Sequence, residues 1–566
     1  MAVSETRTHQ ASTASVDSVR IGDYLIERLL ALGVTHAFGV PGDFVLGLFA
    51  MIEASPLTMV NTCDEQGAGF AADAYARVNG LGVVVVTYGV GGLKVANAAG
   101  QAYAEMSPVV FISGAPGRQE RHDQPLLHHK VRFYETQLRV FDQLTVTSAV
   151  LDDRETACRE IDRALNTALL HKRPVYIELP RDMVGVSVPR PTTIDRPVVP
   201  TTDPDALRAA VDETVGRLRA ATRPVAFLGL EVGRFELLRP AMDLIERMNL
   251  PTAVTLLDKS AISEQHPLFL GVYAGAMSRP EVADYVEASD LVLLLGSLLT
   301  DVNLGGGPSR LDRARSIHFA EGRLTIGLHA YDDIRLADYL GAIAAADLPR
   351  FDITLPANVD NGATTWRPVP DAPITVARLF ERLATFLTDD TIVIADPGDA
   401  LLGALDLPVH RTYEFFANAY YASLGFAVPA SIGAQLAAPG RRPLVLVGDG
   451  SFQMTGMELS TSVRFGLSPI VVILENGGYA VERLMVDGTF NDVLAWDHTT
   501  IPELFGSGVA FDVRTEDDLD LALAGVLERA DDVVLIRVQL DPTDVSPAMR
   551  RFATGFAAAA VATAKN

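Results

Sequence analysis

Two short apolar runs, residues 443–447 (Pro-Leu-Val-Leu-Val) and 470–474 (Ile-Val-Val-Ile-Leu), constrain the fold of this chain most tightly. Both are β-branched, too short for an average helix and apolar at every position, which suits strands buried on both faces of a parallel sheet. The first runs into Gly448-Asp449-Gly450, read as a tight turn, and the second into Glu475-Asn476-Gly477-Gly478. Between them Met454, Met457, Leu459 and Val463 recur at near-helical spacing and predict a core-facing helix.

This strand, turn, helix, strand, turn order places Asp449 and Asn476 at neighbouring strand ends. Open α/β sheets bind ligands outside the carboxyl ends of their strands. A carboxylate, an amide oxygen and backbone carbonyls left accessible by glycine are hard oxygen donors suited to Mg²⁺. That ion keeps near-octahedral geometry and is commonly shared with a substrate or cofactor phosphate, so a diphosphate group is expected here.

The remaining sequence implies a large, three-part α/β protein. At 566 residues, 48% of them hydrophobic, the chain exceeds a single core. The expected organisation is a disordered arm over 1–17, a first doubly wound parallel-sheet domain over 18–188, a second over 205–354, a third over 374–555 and a tail over 556–566. The first should contain a helix at Tyr24–Leu30 and strands at 37–40, 83–87, 109–113 and 174–178. In the second, 225–229 and 291–296 read as strands, and Gly305-Gly306-Gly307 as a flexible turn without dinucleotide spacing. In the third, 392–395 and 533–536 complete the pattern. Pro-rich stretches at 189–204 and 355–373 read as linkers. The first and third units are expected to be distant copies of one sheet design.

A formal charge of −24 opposes nucleic acid and anionic membranes as partners. Cys63 and Cys158, too few for a disulfide framework, are expected to be small packing residues in a reducing compartment. No secretory leader or apolar run of about 18 residues is apparent, so a cytoplasmic protein is expected.

The Gly448-Asp449-Gly450 motif, with Asn476 27 positions after the aspartate, resembles the cofactor-binding motif of thiamine-diphosphate-dependent enzymes. The resemblance implies that Asp449, Asn476 and the Gly478 carbonyl hold Mg²⁺, with Gly448, Gly450 and Ser451 around the diphosphate. The segment from Asn61 to Arg77 is similar to the family stretch whose glutamate, here Glu65, bonds the aminopyrimidine of the cofactor. Leu424 matches the bulky apolar residue that holds the cofactor bent, and Ala422 would offer it a carbonyl.

Within that family the chain resembles the 2-oxo acid decarboxylases. Adjacent His128 and His129 look like their twin histidines, and Asp43, in Val40-Pro41-Gly42-Asp43-Phe44, and Glu482, six positions past Asn476, match two further acids. Adjacent histidines on a helix or strand would diverge, which makes a metal pair an awkward reading, whereas titration near neutrality suits proton transfer. Val302, Pro397, Leu401, Val481 and Met485 fall at pocket positions. Leu401 and Val302 stand where pyruvate decarboxylases carry rings, and Val481 replaces a commonly larger isoleucine. The implied substrate is therefore an aromatic or branched 2-oxo acid: phenylpyruvate, indolepyruvate or 4-methyl-2-oxopentanoate. Gly477, Ser423 and Pro397 depart from common pyruvate-decarboxylase neighbours. The alternatives are a carboligase of acetolactate-synthase type and a non-catalytic thiamine-diphosphate binder. The resemblance further implies a site shared between two copies, hence a homodimer at minimum and a tetramer in the expected case.

Overall fold

The computed structural model describes residues 17–194, 197–305, 310–356 and 366–554. The amino-terminal arm, the tail after Thr554, Gly306-Gly307 and much of the second linker lie outside these residues.

The first sheet has six strands, β1 (His36–Gly39), β2 (Thr58–Asn61), β3 (Gly82–Val86), β4 (Val109–Ala115), β5 (Ser148–Val150) and β6 (Val175–Pro180). They lie side by side in the order β2-β1-β3-β4-β6-β5, every pair parallel. The central sheet has seven, β7 (Pro224–Leu228), β8 (Thr252–Val254), β9 (Phe269–Val272), β10 (Leu291–Leu295), β11 (Ser316–Ala320), β12 (Arg323–Ile326) and β13 (His329–Tyr331), in the order β9-β8-β7-β10-β11-β12-β13. The third sheet has β14 (Thr391–Ala395), β15 (Phe415–Ala417), β16 (Arg442–Gly448), β17 (Ile470–Glu475), β18 (Val509–Val513) and β19 (Val534–Gln539), ordered β15-β14-β16-β17-β19-β18 and again all parallel.

The first and third sheets therefore share one strand order, as two copies of one design should. The central sheet departs from an all-parallel expectation, because β11-β12 and β12-β13 pair antiparallel. Its links are two residues long, Glu321-Gly322 and Gly327-Leu328, too short for a crossover, and each contains a glycine in the left-handed region. Pro189 also departs from the linker reading, since Ser187–Pro189 pairs antiparallel with Ser18–Arg20.

The apolar runs of the third sheet are buried twice over. Successive side chains point to opposite faces of a strand. Ile392, Ile394, Val445, Val447, Val471 and Ile473 join a core that extends through the first domain. Val393, Ala395, Leu444, Leu446, Val472 and Leu474 join a second core shared with the central domain. The third sheet is thus the wall between two interiors.

Two small-residue helices, α1 (Glu65–Asn79) and α2 (Ala427–Ala437), join the first domain to the third. A Cβ at Gly433 would stand 1.8 Å from the Ala71 carbonyl oxygen, so only glycine permits this approach. The buried Arg77 guanidinium donates to Asp73 and to the Ala417 carbonyl (both 2.8 Å) and lies over the Phe426 ring. Removing one partner of such a buried pair costs about 3–5 kcal/mol.

Among the described residues no helix is long and apolar enough to cross a membrane. Cys158 is buried and Cys63 exposed, which corrects the reading of both as packing residues.

Candidate active site

Strand β16 runs straight through to Gly448, and Asp449 is the first residue of helix α3 (Asp449–Thr455), so no separate turn intervenes. The helix then breaks into a tighter turn at Gly456–Glu458 and restarts at Leu459. This break rotates Met454 and Met457 to about half exposure while Leu459 stays buried, which corrects the single core-facing helix expected from their spacing.

Asp449 is 3% exposed. Its carboxylate accepts from the backbone N–H groups of Gly450 (2.8 Å) and Gly477 (2.7 Å), and among the described residues no Lys or Arg pairs with it. Burial pushes its carboxyl up to about 6 against the opposing pull of those N–H bonds. Asn476, also buried, offers its side-chain oxygen to the Gly478 N–H at 3.4 Å. Gly478 sits at φ 149°, opposite Asp492 in a bridge whose bonds are made by its neighbours, Tyr479 N–H to the Asn491 carbonyl (3.0 Å) and Val493 N–H to the Gly477 carbonyl (3.3 Å), and a Cβ on Gly478 would lie 2.0 Å from the Asn491 carbonyl oxygen. A desolvated carboxylate with no cation beside it, an adjacent amide oxygen and open space at Gly448 and Gly477 fit a hard divalent cation carrying a phosphate group.

The neighbouring strand end carries a residue whose role the sequence did not disclose. Asp396, fully buried after β14, accepts from Gly425 N–H (2.9 Å) and Ala427 N–H (2.7 Å), and burial pushes it up to about 6. It fastens the loop that presents Ala422, in the left-handed region at φ 56°, and the half-buried Leu424. Ser451 is buried, and its hydroxyl is among the groups that favour the charged form of Asp396. The available signal was position: an aspartate directly after a buried strand.

Glu65 opens α1. Asp64 caps that helix by accepting from the Gly67 N–H at 2.9 Å, and Lys94 Nζ lies 3.4 Å from the Glu65 carboxylate. Asp43, His128 and His129 converge: their ligand-capable atoms all lie within 4.8 Å of one another. The divergence expected of adjacent histidines does not arise, because the pair lies in a loop and His129 is left-handed at φ 67°. Their rings meet edge to face with centroids 4.6 Å apart. The His129 Nδ1 atom is buried and has no hydrogen-bond partner among the described residues.

Glu482 is exposed on the short helix α4 (Ala480–Met485). Among the described residues no hydrogen bond or ion pair joins Glu65, Asp43, His128 or His129 to Asp449, Asn476, Gly478 or Glu482. Of the pocket positions, Leu401 is buried in the helix Asp399–Gly403 and belongs to the large core that spans the central and third domains, against which Val302 and Val481 pack half-buried. Pro397 is half-buried beside Asp396, and Met485 is exposed.

Known proteins match the chain over most of its length. Residues 19–142 match the thiamine pyrophosphate enzyme N-terminal TPP binding domain, 211–346 the central domain and 398–538 the C-terminal TPP binding domain. The chain is 37% identical to an indole-3-pyruvate decarboxylase of Azospirillum brasilense, covering 95% of this chain and 98% of that one. It is 34% identical to an alpha-keto-acid decarboxylase of Mycolicibacterium paratuberculosis, over 94% and 96%. It is 33% identical to a pyruvate decarboxylase of Aspergillus fumigatus, over 88% and 90%.

Proposed function

The chain belongs to the thiamine-diphosphate-dependent 2-oxo acid decarboxylases, and we propose that it acts on aromatic or branched 2-oxo acids in preference to pyruvate. It is a carboxy-lyase: the bond between the carboxylate and carbonyl carbons breaks, CO₂ leaves, and a proton is added to the former carbonyl carbon to give an aldehyde. What supports the substrate reading is the residue type at Val302, Leu401 and Val481, aliphatic side chains that supply less bulk than aromatic rings at the same positions. The A. brasilense relative, named for indole-3-pyruvate, supports it.

When bound, thiamine diphosphate supplies the electron sink for the cleaved bond. The Asp449 carboxylate, the Asn476 amide oxygen and the Gly478 carbonyl would hold Mg²⁺ and, through it, the diphosphate. Glu65 would bond the aminopyrimidine, Ala422 would offer its carbonyl, and Leu424 would set the bend of the cofactor. Asp43, His128 and His129 would together hold and pass a proton. Glu482 would stand beside the substrate carboxylate, disfavouring its charge and donating a proton afterwards.

Because the family resemblance implies a site shared between copies, and no hydrogen bond or ion pair among the described residues joins the two groups of site residues within one chain, the reading includes a cytoplasmic homodimer or tetramer in which the first domain of one copy completes the third of another. The test is aldehyde and CO₂ release from phenylpyruvate, indole-3-pyruvate, 4-methyl-2-oxopentanoate and pyruvate by cofactor-stripped protein, with and without Mg²⁺ and thiamine diphosphate. Cofactor-dependent release with higher kcat/KM for the larger acids is expected. A preference for pyruvate overturns the substrate assignment.

A further inference from the structure

Glu458 lies on the segment that begins at Asp449, yet its carboxylate reaches into the first domain. It is 2% exposed. Oε1 accepts from the Cys63 N–H and the Asp64 N–H (both 3.1 Å), and Oε2 accepts from the Cys63 N–H (3.0 Å) and the Thr461 hydroxyl (3.0 Å). No cationic side chain pairs with it among the described residues. A Cβ on Gly67 would come within 2.0 Å of Oε1, so the carboxylate is pressed against the first turn of α1. These bonds fix the two peptide N–H groups immediately before Glu65. A buried acid that spends both oxygens on the backbone of one turn holds that turn in place.

We infer that Glu458 is a positioning residue for Glu65 of its own chain. This rests on the shared-site dimer proposed above, and within that dimer its consequence is directional. The cofactor that Glu65 serves is held by the partner subunit, whereas the segment that steadies Glu65 starts at the Asp449 of its own chain. Each site is thereby tied to the metal-binding segment of the other.

The test uses full-length enzyme loaded with Mg²⁺ and thiamine diphosphate. Glu458→Gln keeps the shape but turns one acceptor into a donor facing a donor. A misplacement of about 1 Å at a catalytic group can cost on the order of a hundredfold in rate, so kcat should fall about tenfold or more. Cofactor Kd and substrate KM should each stay within about threefold, a split that a general loss of folding would not produce. If that variant fails to fold, Thr461→Val, which removes one bond to Oε2, should show a smaller fall in kcat with the same split. A kcat within about twofold of native overturns the inference.

Mixed dimers separate the two possible directions. A dimer of one Glu65→Gln chain and one Glu458→Gln chain should be no more active than half of a Glu458→Gln dimer, because its one intact Glu65 has lost its own support. Recovery of about half the native kcat would mean that Glu458 acts on the cofactor of its own third domain, and would overturn the inference. A dimer of native and Glu65→Gln chains should keep half the native activity. If it does not, or if the native enzyme sediments as a monomer, the shared-site reading fails, and the kcat and Kd split of the single variant still decides the role of Glu458.

Discussion

His128 Nε2 stands 2.9 Å from Asp43 Oδ2. A carboxylate in its ionised form only accepts, so in that form the contact takes the ring proton on Nε2 and favours the tautomer whose other nitrogen is free to accept. Asn at position 43 could present either an oxygen or an amide and would no longer select that form. Asp43→Asn is therefore expected to lower kcat by about 10²- to 10⁴-fold with an unchanged melting temperature. Steady-state kinetics beside a thermal melt checks it, and a near-native kcat would remove Asp43 from the proton chain.

Among the described residues no cationic side chain pairs with the buried Asp449 carboxylate. Asp449→Asn should therefore stabilise the cofactor-free protein at pH 8, by about 1 kcal/mol, because the charge no longer has to be desolvated. The same change should abolish the rise in melting temperature that Mg²⁺ with thiamine diphosphate gives the native protein. A variant that still shows that rise would exclude Asp449 as a metal ligand.

At Gly478 both backbone conformation and space forbid a side chain. Gly478→Ala is expected to cost about 2–4 kcal/mol and to release the cofactor on gel filtration, since the Asn491 carbonyl would have to move. Retention of cofactor at native stoichiometry would contradict this.

The third sheet was legible because its strands are buried on both faces, and such strands write themselves as unbroken apolar runs. The placing of Asp449 and Asn476 at strand ends was legible for the same reason: a buried strand must end somewhere, and these two stand where β16 and β17 end. The helix break after Thr455 was not legible, since Met454, Met457 and Leu459 keep helical spacing while the backbone does not. Glu458 was invisible, because its partner Cys63 is 395 positions away in the chain. The convergence of His128 and His129 depends on one left-handed backbone angle that residue type does not announce.

Val481 packs half-buried in the cluster that contains Leu401. Restoring one methylene by Val481→Ile should lower kcat/KM for phenylpyruvate relative to pyruvate by about 3- to 10-fold. Competition assays with both substrates give the ratio directly, and an unchanged ratio would place the pocket wall elsewhere.

Glu231 in the central domain is 2% exposed and accepts from the Glu321 N–H at 2.7 Å. Burial pushes its carboxyl up to about 7, above its unfolded value. The folded chain thus binds this proton more tightly than the unfolded chain, and stability falls as pH rises from about 4 to 7, then levels off. Glu231→Gln, which keeps the acceptor, should stabilise the protein by about 1–3 kcal/mol at pH 8 and by little at pH 4.5. Chemical denaturation at the two pH values tests the sign, and equal effects at both would show that Glu231 is not held protonated.

The core shared by the first and third sheets draws residues from Val19 to Val188 and again from Ile392 to Leu535, with the whole central domain between. During synthesis the amino-terminal sheet emerges long before α2 exists to cover α1. Contacts this distant in sequence form late, and apolar surface left waiting is prone to aggregation. The nascent chain must therefore carry an uncovered α1 face until its last quarter leaves the ribosome, which makes translation rate and chaperone access determinants of yield.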